Sequence, residues 1–151
     1  MIPPTAFQNE IATALGISLS GADALIAAAR IRDHVALAIA PDEHPRAPSE
    51  KQVRFAKDLG VFTEGDTWHV LIAKIQAELT RRNAIALQRL RLKPGDTVEY
   101  TRSFEYDGKK HTRATRHIVS SIGKDLRVYF KNPGSESGGW PSQLKRVRGA
   151  R

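Results

Sequence analysis

Up to Leu92 the apolar residues of this chain recur at intervals of three and four; beyond Leu92 they alternate with polar ones. The change of period predicts an all-helical region, residues 1–92, followed by a strand-forming region, residues 93–151. The first region opens with Phe7, Ile11, Ala14 and Leu15 on one side of a helix from Pro3 to Leu15 that stops at Gly16. Ser20, with Asp23 three residues on, offers a cap for a second helix reaching Ala40, whose inward side reads Leu25, Ala28, Ala29, Arg32, Val35 and Ile39. The proline-rich segment Ala40 to Pro48 cannot continue it and reads as a linker or surface loop.

Ser49-Glu50-Lys51-Gln52 is an S-x-x-Q capping box heading a helix over 49–59, with Val53, Phe55, Ala56 and Leu59 inward and Gly60 as its stop. The longest helix is expected over 66–90, on the stripe Trp68, Ile72, Ile75, Leu79, Ala86 and Leu90. One wider step across Arg82 and Asn83 allows either an unbroken helix or a bend. A second apolar edge, Val70, Leu71, Ile85 and Leu87, requires cover on two sides; a homodimer contact through this helix would also supply it.

In the strand-forming region, Lys93-Pro94-Gly95-Asp96 makes a turn into a strand bearing Val98 and Tyr100. Asp107-Gly108 is a hairpin signal inside a polar excursion from Arg102 to His111, expected as a long loop or flared hairpin. A strand over about 112–122, a turn at Gly123-Lys124-Asp125 and a further strand follow. In that last strand Leu126, Val128 and Phe130 face the core while Arg127, Tyr129 and Lys131 face water. After a Gly/Ser-rich loop from Asn132 to Gly139, Trp140 to Leu144 suits a single 3₁₀ turn that packs Trp140 and Leu144 inward, and Lys145 to Val147 closes the module.

This order of elements resembles the small five-stranded barrels of the Src-homology, Tudor and KOW type, over the last third of the chain. The resemblance implies a small five-stranded antiparallel barrel there, and together with the helical period before it the expected fold is α+β, a helical N-terminal region followed by that barrel. The segment from Ile11 to Leu25, within a hairpin spanning 7–30, is similar to bacterial helix-turn-helix proteins, with Gly16 at the turn. Its second helix would begin with Ser18, Leu19, Ser20, Gly21, Ala22, Asp23 and Ala24, which bring almost nothing able to reach a base edge, so a packing hairpin stands ahead of a DNA reader. The run from Pro48 to Leu59 looks like a short helix of several phage and DNA-processing proteins.

Charge sharpens the division. Of the net +8, residues 1–50 contribute three basic and six acidic side chains, 51–92 eight and four, and 93–151 thirteen and six. The positive field over the C-terminal part suits a polyanion. The chain has no cysteine, which removes disulfides and thiolate metal sites and fits a cytoplasmic protein. No apolar run approaches the ~18 residues of a membrane span, and Met1-Ile2-Pro3-Pro4 lacks the basic start of a signal peptide, so no membrane association is expected.

His34, His44, His69, His111 and His117 show no metal-ligand spacing, and the sequence holds no nucleophile elbow, phosphate-binding glycine loop or paired carboxylates. No enzyme, cofactor or metal is expected. Aromatic and basic residues interleave instead, the composition that binds single-stranded nucleic acid by stacking and phosphate contact. The candidate nucleic-acid-binding residues are Arg102, Tyr106, Lys109, Lys110, Arg113, Arg116, Arg127, Tyr129, Lys131, Lys145, Arg146 and Arg148, with the arginines at the end of the long helix beside them. The expected function is non-catalytic nucleic-acid binding, DNA or RNA. The alternative is a protein–protein adaptor, of phage or mobile-element type, binding a partner through the barrel or a helical groove.

Overall fold

The computed structural model describes residues 2–131, 134 and 136–147. They form four helices, α1 (Ala6–Ala14), α2 (Ala24–Ile39), α3 (Glu50–Asp58) and α4 (Trp68–Leu90), then five strands, β1 (Thr97–Tyr106), β2 (Lys109–Ile122), β3 (Val128–Lys131), β4 (Gly138–Gly139) and β5 (Leu144–Arg146). A 3₁₀ turn, Pro141–Gln143, separates β4 from β5. The fold is therefore α+β, helices first. Two compact units divide at Arg81/Arg82. The secondary structure changes type near Leu92, but Leu87, Leu90 and Leu92 pack with the strands, so the last turns of α4 belong to the second unit.

Capping sets the starts of the helices. Thr5 and Gln8 form a capping box on α1, and Ser49 with Gln52 forms the expected one on α3. The second helix starts later than the sequence suggests. Asp23, not Ser20, is its cap, with Oδ1 accepting from the N–H groups of Leu25 (3.0 Å) and Ile26 (2.9 Å). Ser18 to Asp23 consequently lie in the α1–α2 connection, which is longer than the three- to four-residue turn of a helix-turn-helix.

The buried side of α2 also differs from expectation: it carries Ala27, Ala29 and Asp33, while Leu25, Val35 and Ile39 are exposed. Apolar residues occur all round this helix, so their period does not select a face. Asp33 is buried and satisfied, accepting from the Thr67 hydroxyl and lying 2.8 Å from His69 Nδ1.

Within the first unit the start of α4 is covered on two sides. Val70 and Ala73 pack with Ala29 and Ile26 of α2, and Leu71 and Ile75 pack with Ala56 and Val53 of α3. At this start of the helix both apolar edges are buried in part: Val70 and Leu71 of the second and Ile75 of the first are enclosed, while Ile72 is only half-buried. The helix passes Asn83 unbroken.

In the second unit the antiparallel sheet has the order β4-β3-β2-β1-β5. Val98, Val119, Val128, Phe130, Leu144 and Leu92 make its core. The expected barrel is not formed, because the sheet does not close. Its edge strands β4 and β5 follow one another in sequence across a short turn, yet no ladder joins them. Strand β4 spans only Gly138 and Gly139, and Pro141, without an N–H, then starts the 3₁₀ turn. That turn buries Pro141 and leaves Trp140 40% exposed, against the expectation that Trp140 packs inward. Asn83 fixes the turn instead, its Oδ1 accepting from Ser142 Oγ (2.7 Å) and from Ser142 N (3.2 Å).

Close approach explains one glycine. A Cβ on Gly138 would lie 2.4 Å from the Val128 carbonyl oxygen, which is backbone and has no rotamer by which to yield. Gly138→Ala is expected to lower stability by about 1–3 kcal/mol, the usual cost of overpacking, measured by chemical denaturation in a Trp68→Phe background that leaves Trp140 as the fluorescent reporter.

Candidate nucleic-acid interface

The polar excursion from Arg102 to His111 is a hairpin rather than a loop. Asp107 (φ 53°) and Gly108 (φ 67°) both take the left-handed conformation required by a type I′ turn, whose twist matches that of the flanking strands. The ladder runs without a break from Tyr106↔Lys109 down to Thr97↔Ile118. β5 pairs with β1 only at Val98–Tyr100, and β3 pairs with β2 only at Ile118–Ile122. Among the described residues, therefore, no third strand pairs with β1 and β2 beyond Tyr100 and Thr115, and they continue as a two-stranded arm. All of Arg102–Tyr106 and Lys109–Ala114 is exposed. At about 3.4 Å per residue the five residues from Arg102 to Tyr106 span roughly 17 Å.

Strand alternation sorts the side chains of this arm. Residues directly opposite each other share a face. One face, continuous with the core side of the sheet, carries the pairs Arg102↔Arg113, Phe104↔His111 and Tyr106↔Lys109. The other carries Glu99↔Arg116 and Glu105↔Lys110 with small and hydroxyl residues between them. The acidic strand residues of the arm and its root are thus on one side, and the aromatic rings on the opposite side. Phe104 and His111 stack across the strands with centroids 5.6 Å apart and an interplanar angle of 21°, and Tyr106 meets the edge of His111 at 6.3 Å. Tyr106 is 72% exposed.

The root of that face is closed. His117 stacks on Phe130 at 4.2 Å and 6°. Glu136 accepts from Thr115 Oγ1 (2.9 Å) and lies 3.0 Å from His117 Nε2. This carboxylate is engaged there and does not neutralise the arm. Among the described residues Arg102, Lys109 and Arg113 have no acidic partner, unlike Arg146, which is 3.1 Å from Asp96.

The twelve residues expected from sequence consequently fall into separate groups. Arg102, Tyr106, Lys109 and Arg113 share the aromatic face of the arm. Lys110, Arg116, Tyr129, Lys131 and Lys145 lie on the opposite, outer side of the sheet, as the register requires, with Arg116 4.0 Å from Glu99. Arg127 lies over the Tyr129 ring, 5.7 Å from its centroid. Lys145 and Arg146 also line a cleft of about 1150 Å³ with Arg89 and Arg91 of the end of α4 and its C-terminal turn. There Arg146 is held by the Leu90 carbonyl (3.4 Å) as well as by Asp96. Arg148 lies outside the described residues.

Two members of the arm face, Phe104 and His111, were not among those candidates. The signal for them was available: a two-residue Asp-Gly turn fixes every cross-strand pair by counting back from it. Among the described residues no helix is long and apolar enough to cross a membrane. No protein-family model matches the chain, and no curated protein or solved structure shows significant similarity to it.

Proposed function

We propose that this protein binds nucleic acid without catalysing a reaction on it, through the β1/β2 arm and the adjoining basic surface of the sheet. The observation that carries this reading is the segregation on the arm: exposed Arg102, Lys109 and Arg113 share a face with Phe104 and Tyr106 and have no acid opposite them. Directly opposed like charges destabilise a strand pair. A folded protein that places Arg102 against Arg113 without a counter-charge leaves a position an anion would relieve. The net charge of +8 adds a long-range attraction.

Anisotropy titrations of labelled single-stranded DNA, duplex DNA and RNA test the reading. If Arg102, Lys109 and Arg113 each meet a phosphate on a single strand, the logarithmic salt slope is about −2, and affinity falls roughly 20-fold between ~50 and ~200 mM salt. No binding at low salt would end the nucleic-acid proposal.

A second reading, a protein-binding adaptor, is favoured by the helical unit, where Phe7 (69%), Phe55 (47%) and Phe62 (70%) are exposed. Binding through these rings would change little over the same salt range.

A further inference from the structure

We infer that the aromatic face of the β1/β2 arm takes single-stranded rather than duplex nucleic acid, with a phosphate between Arg102 and Arg113 and unpaired bases on Phe104 and Tyr106. This rests on the nucleic-acid reading above and specifies its ligand. The three cross-strand pairs of the face follow one another along the arm in the order cation pair, aromatic–histidine pair, aromatic–lysine pair. Successive pairs are two residues, about 6.8 Å, apart. That is the scale of one nucleotide in an extended strand.

A two-stranded ribbon also fits the major groove of duplex DNA, so the choice depends on which side chains occupy the middle and tip of the face. In a groove they would meet base edges, which present hydrogen-bond donors, acceptors and a methyl group. Phe104 has no polar atom with which to read an edge. Its ring and that of Tyr106 are exposed by 44% and 72%, and both offer a π surface, which every unpaired base can cover whatever its identity. The Phe104–His111 stack holds one of these rings in place across the ladder, so part of the ordering cost is met before a base arrives. At the inner end Glu136, engaged by Thr115 and His117, sets a negative boundary, so the bound strand runs from Arg102 and Arg113 towards the tip.

The test uses the full chain and a short oligonucleotide carrying 2-aminopurine, offered alone and annealed to its complement. The single strand is expected to bind at least ~10-fold more tightly than the duplex, with quenching of the 2-aminopurine on binding. Phe104→Leu and Tyr106→Leu should each weaken single-strand binding by about 5- to 20-fold and reduce the quench, whereas Tyr106→Phe, which keeps the ring, should retain both. Circular dichroism confirms that the variants are folded, and the quench in the unaltered protein is independent of any variant. Duplex bound as tightly as single strand, with loss on Arg113→Glu but not on Tyr106→Leu, would overturn the single-strand inference and leave nucleic-acid binding intact. Binding of neither form would overturn both.

Discussion

Arg102→Glu with Arg113→Glu is expected to weaken nucleic-acid binding by at least ~100-fold at low salt, with little change in unfolding midpoint. The size follows from the geometry. Each substitution removes a cation from a face whose arm residues include no acid and places a repelling carboxylate there, and a hundredfold loss corresponds to only about 2.7 kcal/mol over the two sites. The stability expectation follows from the register: Arg102 stands directly opposite Arg113, so the double variant exchanges one like-charge pair for another.

The single variant Arg113→Glu separates folding from binding more sharply. Its new carboxylate would face Arg102 and convert a repelling pair into an attracting one, which stabilises the arm by a few tenths of a kcal/mol. Binding should nevertheless fall by about tenfold. A variant that gains thermal stability and loses affinity identifies a charge kept for a ligand. If both properties fell together, Arg113 would be serving the fold. Lys124→Glu, in the exposed turn between β2 and β3, is the comparison and should alter neither by much.

The distinction between what could be read from the residues and what could not has physical causes. The capping box at Ser49, the stop at Gly60, the long helix and the inward alternation of Val128 and Phe130 were legible because each depends on neighbours a few residues apart. The arm was legible only in part. Its residues are polar on both faces up to Phe104 and Tyr106, so the hydrophobic alternation that marks a half-buried strand vanishes where a third strand is missing. The Asp107-Gly108 turn still held the register, and with it the sorting of charge by face.

The face of α2 was illegible for the opposite reason, apolar residues on every side. Closure of the sheet depends on how far two edge strands extend towards one another, and composition does not carry that. The exposure of Trp140 was also hidden. The contact that seats its turn is made by Asn83 and Ser142, 59 residues apart, and neither belongs to an apolar pattern.

Leu71→Ala is expected to be the most damaging truncation in the helical unit, at about 3 kcal/mol. The core there is unusual in being built largely from alanines: Ala12, Ala27, Ala29, Ala56 and Ala73 are all buried. Alanine allows helices to approach closely but removes little apolar area from water, so the few larger side chains supply a disproportionate share of the stabilisation. Leu71 is 0% exposed and is the one member of this unit among the largest fully buried side chains described. It sits with Ala56 and Ile75 and is flanked by Val53, Leu59, Val61 and Leu79. Shortening it leaves a cavity whose walls belong to α3, α4 and the segment between them, and partial collapse places the cost within the usual range of about 2.7–5 kcal/mol. Against a total stability of about 5–15 kcal/mol, that is a large fraction. Urea denaturation in a Trp140→Phe background isolates Trp68 as the fluorescent reporter of this unit. Leu25→Ala, on a side chain 50% exposed, should cost less than about 1 kcal/mol in the same assay. Equal costs for the two would mean that Leu71 is not the anchor, and that the alanine contacts between helices carry the unit.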